Sequence, residues 1–283
     1  RFPVRRLRVL ASARSAGRRV PFNGAAHKVE ELRGRAFDGI DLALFSAGAV
    51  RSLEFAPEAV RRGAVVVDNS SAFRLAPGVP LVVPEVNPEA LSRHRGLIAN
   101  PNCSTIIMLV PLAPLHRAAG ITRIIVSTYQ SVSGAGAKAM AQLYEETRRA
   151  MGQFRVRSSE FSVKPKLTEH RTPNTERILP QQIAFNVIPQ VDVFLDNRST
   201  REEMKMVRET RKILGVPDLP ISATCVRVPV FVAHSEAVWI ETRRPLSAAR
   251  AAALLRRAPG VKLVDDPGRG AYPLPIQAAG QDD

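Results

Sequence analysis

Residues 41–70, DLALFSAGAVRSLEFAPEAVRRGAVVVDNS, decide the fold class. Two apolar runs, 41–47 and 64–69, are strand-like and end in the small polar turns Ser46-Ala47-Gly48 and Asn69-Ser70-Ser71. Between them, 50–62 has helical spacing and closes at Gly63, a residue suited to the left-handed conformation that ends a helix. Strand, helix and strand over about thirty residues make the βαβ unit of a parallel sheet. Strand-like runs at 7–11, 80–83 and 97–99 extend the pattern on both sides. Ligands of such sheets bind beyond the carboxyl ends of the strands. That rule selects Ser12-Ala13-Arg14-Ser15, the two turns above, and Asn100-Pro101-Asn102-Cys103-Ser104-Thr105.

In the last of these segments, Pro101 disfavours helical geometry at Asn100 and so marks a boundary. Residues 105–120, TIIMLVPLAPLHRAAG, form an apolar helical stretch that stops at Gly120, with Pro111 and Pro114 expected to bend or shorten it. Cys103 then falls in the first helical turn. Free N–H groups and the positive end of the helix dipole stabilise a thiolate there, and the thiolate is the nucleophilic form. A free cysteine is also commonly a small buried residue. These residues alone leave both readings open.

Beyond residue 103 the texture changes to longer strands with amphipathic helices. Residues 121–131 alternate as a strand, Ser133-Gly134-Ala135-Gly136 make a flexible turn, and 138–151 continue as a helix. The Pro-, Ser- and Thr-rich residues 155–180 read as a long surface excursion. The next helix covers 200–214, with Thr200 as N-cap, Glu203 as the acid of a capping box and Gly215 as the stop. Two consecutive strands, 221–228 and 231–242, precede a capped helix at 247–257. The change of texture divides the chain into a nucleotide-binding type of domain over 1–102 and an α+β domain over 103–283.

The chain has 283 residues, of which 45% are hydrophobic and 24% charged, the range of soluble globular proteins. No apolar run approaches the roughly 20 residues that span a bilayer, so no membrane partner is expected. Two cysteines, Cys103 and Cys225, are too few for a disulfide framework and point to a reducing compartment such as the cytoplasm. Cys225, in the strand-like ISATCVRVPV, reads as structural. The net charge of +15 suits a phosphorylated or polyanionic ligand. The basic residues are spread along the chain and aromatics make up only 5%, so nucleic acid is not the expected partner, and a basic nucleic-acid-binding protein stands as the alternative from another class. No metal site is expected. The opening RFPVRRLRVLASARSAGRR superficially resembles an Arg-rich transit peptide. Its LRVLAS reads equally well as a strand entering a turn, and we read the chain as starting partway into the protein.

PNCST at 101–105, TYQSVSGAG at 128–136, FNVIPQVDVF at 185–194, EEMKMVRETRKI at 202–213 and RVPVFVAHSEAV at 227–238, in this order and at these separations, resemble the aspartate-semialdehyde dehydrogenase family. The similarity covers essentially the whole chain. It implies an α/β protein like glyceraldehyde-phosphate dehydrogenase, with an incomplete Rossmann-type NADP-binding domain followed by a catalytic and dimerisation domain, assembled as a homodimer. The implied reaction reduces L-aspartyl 4-phosphate to aspartate 4-semialdehyde with NADPH and releases phosphate, on the route to lysine, threonine and methionine.

By the same resemblance, Cys103 is the nucleophile, His234 the acid/base and Gln130 the residue that orients the acyl intermediate. Arg227 takes the substrate carboxylate and Glu202 the amino group, while Lys205, Arg74 and Asn102 bind phosphate. Ser12, Arg14 and Ser15 receive the 2′-phosphate of NADP, and Gly48, Ser71 and Gly134 approach the nicotinamide half. The bare residues say less. A histidine between strand residues is more often structural, Gln130 could be an ordinary strand amide, and Glu202 and Lys205 share a helix face as any solvated ion pair would.

Some departures from the family pattern stand out. The glycine-rich GxxGxxG loop and the final returning strand and helix are not in the sequence, Ala233 stands where glycine is common, and Gln190 where histidine is common. A neighbouring reductase acting on N-acetyl-glutamyl phosphate is the rival within the same chemistry.

Overall fold

The computed structural model describes residues 3–153 and 178–281, so most of the excursion expected over 155–180 lies outside the described residues. The chain divides into two compact units. The first comprises Arg1–Val110 with Arg208–Pro217, and the second Pro111–Val207 with Asp218–Asp283.

In the first unit, β1 (Val9–Ala11) lies parallel to β3 (Ala25–Glu31), whose other edge pairs antiparallel with β2 (Arg19–Phe22). The β2–β3 hairpin is absent from the sequence reading, although Asn23-Gly24 marks it. Both residues take positive φ, 47° and 79°, as a two-residue hairpin turn of this kind requires. A second sheet is parallel throughout, with β5 (Val65–Asp68) between β4 (Leu42–Phe45) and β6 (Leu97–Ala99). The helix α1 (Ala49–Arg61) joins β4 to β5 as expected. Its alanines Ala56 and Ala59 are fully buried in one cluster with Phe37, Phe45 and Val66, and their small side chains let the helix lie close to the strands. Residues 80–83 form only an isolated bridge between Leu81 and Ala99. Pro80 opens the run and Pro84 follows it, and neither has an N–H to donate to a ladder.

In the second unit, β7 (Ile121–Gln130) is central, parallel to β8 (Ile221–Arg227) on one side and antiparallel to β9 (Ser235–Thr242) on the other. Ile124, Val126, Thr128 and Gln130 alternate onto a buried face. The strand expected over 231–242 starts only at Ser235, because Ala233 has a φ of 71° and the backbone leaves the extended region there.

The helix α2 (Cys103–Ala119) continues through Pro111 and Pro114 and is not shortened by them. Burial of Met108, Leu109, Leu112, Ala113 and Leu115 outweighs the backbone bonds the prolines remove. The helix α3 (Ala137–Gln153) follows, and α4 (Arg201–Leu214) gives its second half to the first unit. The capping box of α4 is formed in both directions: Thr200 Oγ1 accepts from the Glu203 N–H at 3.3 Å, and Glu203 Oε2 accepts from the Thr200 N–H at 2.7 Å. Such a cap contributes about 1 kcal/mol. The other oxygen of Glu203 accepts the Cys225 N–H at 3.1 Å, tying the helix start to β8. The last major helix, α5 (Ala248–Leu255), is capped by the Ser247 side chain.

Candidate active site

In the first unit the candidate nucleophile begins a helix. Cys103 is the first residue of α2 and is exposed. Asn102, immediately before it, is buried, and its side-chain oxygen accepts the Ser104 N–H at 2.9 Å. This is the cap expected of an asparagine at a helix start, and it satisfies one of the N–H groups that the first turn leaves open.

Arg74 is also buried. Its Nε donates to the Asn100 carbonyl at 2.9 Å, Nη2 to the Asn69 carbonyl at 3.1 Å and Nη1 to Glu209 Oε1 at 3.1 Å. A guanidinium has five N–H donors, so two remain for a ligand. The second oxygen of Glu209 accepts the Asn102 N–H at 2.6 Å. Arg74 and Asn102, both assigned to phosphate from the sequence, are thus brought onto one carboxylate that the sequence reading missed. Burial pushes the Glu209 carboxyl up, against the opposing pull of Arg74 and the Asn102 N–H.

The residues expected at the cofactor lie at the carboxyl ends of parallel strands. Ser12, Arg14 and Ser15 occupy the turn after β1, with Ser12 and Arg14 exposed. Gly48 follows β4 as the residue before α1, with φ 86° and open space where a side chain would stand. Ser71 follows β5 and is exposed, while its neighbour Ser70 is buried and donates to Asp68 Oδ2 at 2.7 Å. Hydroxyls and a guanidinium beyond β1, with an open glycine beyond β4, are the groups that a phosphorylated dinucleotide needs.

In the second unit Gln130, Glu202 and Lys205 form a chain. Gln130 Nε2 donates to Glu202 Oε1 at 3.3 Å, and Lys205 Nζ donates to Glu202 Oε2 at 3.0 Å. Glu202 has a side-chain exposure of 6%, so this pair is not the solvated couple that its spacing alone suggests. Lys205 also donates to Asp192 Oδ2 at 2.9 Å. Burial works against its ammonium, yet Glu202 and Asp192 together hold its pKa above the ordinary value. Asp192 itself was not singled out from the sequence. Its φ of 68° inside FNVIPQVDVF shows that the backbone is bent there.

His234, Arg227 and Gly134 make the other cluster of this unit. His234 Nδ1 accepts the Ser131 backbone N–H at 3.0 Å, and Arg227 Nη1 donates to the Ser131 carbonyl at 2.7 Å. Burial, and next the charge of Arg227, hold the His234 pKa below the ordinary value, while Glu202 opposes them. Gly134 packs against both side chains. A Cβ there would stand 3.1 Å from His234 Cε1 and Nε2 and 3.2 Å from Arg227 Nη1, so the glycine makes room for these two residues.

The remaining cysteine, Cys225, is fully buried, and burial pushes its thiol up to about 12, so it is inert. Glu236 is a further unforeseen feature: its carboxyl oxygens are buried without a hydrogen-bond partner among the described residues. Among the described residues there is no helix long and apolar enough to cross a membrane, and no cluster of metal-ligating side chains.

Residues 1–94 match the semialdehyde dehydrogenase NAD binding domain and residues 112–283 the semialdehyde dehydrogenase dimerisation domain. The aspartate-semialdehyde dehydrogenase of Bacillus subtilis is 47% identical over 283 residues, covering 100% of this chain and 79% of that protein. The chain belongs to the aspartate-semialdehyde dehydrogenase family. The Synechocystis enzyme of the same name is 48% identical over 282 residues, 100% of this chain and 78% of that protein. Among solved structures, aspartate semialdehyde dehydrogenase II of Vibrio cholerae, complexed with ASA, superposes with a TM-score of 0.88 at 44% identity, covering 100% of this chain and 78% of that one. Membership confirms the expected fold class, a Rossmann-type nucleotide-binding domain with a mixed α/β dimerisation domain.

Proposed function

We propose that the protein catalyses the NADPH-dependent reductive dephosphorylation of L-aspartyl 4-phosphate to L-aspartate 4-semialdehyde through a thioester on Cys103. The observation that carries this reading is Cys103 itself, exposed at the first position of α2 behind the Asn102 cap, in a chain of this family. The Cys103 thiolate attacks the acyl carbon, the bond to phosphate breaks, and phosphate leaves with the electron pair. Ser12, Arg14 and Ser15 would hold NADPH by its 2′-phosphate, and the cofactor would supply the hydride for reduction of the thioester. Collapse of the resulting thiohemiacetal frees the aldehyde and returns the thiolate. Two easier steps then replace one difficult displacement.

His234 exchanges the protons of this cycle. Because Nδ1 accepts the Ser131 N–H, the neutral ring carries its proton on Nε2. Arg227 takes the substrate carboxylate, Glu202 the ammonium, and Lys205, Arg74 and Asn102 the phosphate, with Gln130 orienting the acyl group. The exposed Arg14 beyond β1 favours NADP over NAD. The matched dimerisation domain, together with Ile125, Tyr129 and Trp239 exposed on one face of the β7–β9 pair, supports a homodimer. In this reading the protein serves the route to lysine, threonine and methionine in the cytoplasm.

The test runs the reaction in reverse. With aspartate semialdehyde, NADP and phosphate, the purified protein is expected to reduce NADP in proportion to added phosphate. N-acetyl-glutamate semialdehyde is expected to turn over poorly, since its acetylated amine offers Glu202 no cation. Faster turnover of the acetylated substrate, or reduction that does not need phosphate, would overturn the assignment.

A further inference from the structure

We propose that Glu209 is a positioning residue of the phosphate site: it sets the Arg74 guanidinium and the residue preceding Cys103 against one another through the two oxygens of a single carboxylate. The inference rests on the phosphate role given above to Arg74 and Asn102. Oε1 accepts from Arg74 Nη1 at 3.1 Å and Oε2 from the Asn102 backbone N–H at 2.6 Å. The side chains of Arg74 and Glu209 are 10% and 2% exposed, so water does not compete for these bonds. One turn further along α4, Lys212 Nζ donates to the carbonyls of Arg74 at 2.7 Å, Ala76 at 3.2 Å and Val79 at 2.8 Å. The same helix end therefore grips the backbone of the segment whose side chain Glu209 holds.

The charges make the role specific. An ionised Glu209 offsets the charge of Arg74, so the arginine serves a phosphate by the direction of its two remaining N–H groups more than by net charge. A glutamine at position 209 has one oxygen and one NH2, and it must turn a donor toward either Arg74 or the Asn102 N–H. It keeps the shape, adds one unit of positive charge to the site and loses the alignment. Alignment and charge thus predict opposite effects on anion binding, which separates positioning from simple neutralisation.

The test is phosphate protection of Cys103 against iodoacetamide in the purified protein. It does not depend on turnover, and Cys225 does not interfere because it is buried with its thiol pushed up to about 12. Glu209→Gln is expected to need about tenfold more phosphate for the same protection, the size of one lost hydrogen bond to a charged group, and to raise the phosphate KM while lowering kcat. Glu209→Asp keeps the charge but is too short to hold both partners, and is expected to fall between the two proteins. Equal or tighter protection in Glu209→Gln, with only its thermal midpoint lowered, would overturn the positioning role. Absence of phosphate protection in the unsubstituted protein would overturn the phosphate site itself and this proposal with it, whereas failure of the aldehyde assay alone would touch only the substrate assignment.

Discussion

The backbone N–H of Ser131 donates to Nδ1 of His234 at 3.0 Å, with the Ser131 hydroxyl at the same distance from that nitrogen, and an Nδ1 that accepts leaves the proton of the neutral imidazole on Nε2. A second proton would have to enter at Nδ1 and break the bond. Burial and the neighbouring Arg227 act in the same direction, holding the pKa down against Glu202. The neutral form therefore persists to lower pH than in an ordinary histidine. The acid limb of a kcat/KM profile measured from about pH 5 to about pH 9 is expected to lie below the usual histidine value of about 6.5. His234→Asn is expected to remove that limb and lower kcat by roughly 10²–10⁴-fold. A limb at or above the ordinary value would contradict this account of the ring.

Ala233, beside that histidine, holds a left-handed φ of 71°, a conformation that favours glycine. An alanine in this region is strained by about 1–2 kcal/mol, partly offset because glycine loses more freedom on folding. Ala233→Gly is expected to stabilise the protein by roughly 0.5–1 kcal/mol, read from the urea midpoint. A destabilised variant would show that the alanine methyl contributes packing that outweighs the strain.

Glu236 predicts a pH dependence of stability. Its carboxyl oxygens are buried without a partner among the described residues, and burial pushes its pKa up to about 8. The folded state binds this proton more tightly than the unfolded chain does. Its contribution is thus fully present below the ordinary carboxyl value and is lost as the pH rises through about 8. Glu236→Gln cannot ionise, so its denaturation midpoint is expected to gain on that of the unsubstituted protein across this window. Parallel midpoints for the two proteins would rule out a buried, protonated carboxyl at this site.

What the sequence revealed and what it hid follow a physical rule. Patterns closed within a few residues were legible: the βαβ unit around α1, the Thr200–Glu203 capping box, and the helix start at Cys103. The Asn23-Gly24 hairpin is equally local, but its first strand, β2, is exposed throughout and contains Pro21, so the residues around the turn carry little strand signal. The site's supporting carboxylates were illegible for another reason. Glu209 meets Arg74 across 135 positions and Asn102 across 107, and nothing in the spacing of EEMKMVRETRKI singles it out from its neighbours. Asp192 joins Lys205 across 13 positions through a left-handed bend at Asp192 itself, which the strand-like spacing of Val191, Val193 and Phe194 conceals. Glu236 reads as a polar residue of a half-exposed strand until β9 pairs with β7 and sets it opposite the buried Thr128.

The most direct test of the central claim is the activity of Cys103→Ser in the phosphate-dependent reduction of NADP by aspartate semialdehyde. Serine keeps the size and the helix start but has no thiolate. The account predicts turnover lowered by several orders of magnitude with the fold unchanged by circular dichroism. Turnover near that of the unsubstituted protein would contradict a covalent mechanism at Cys103.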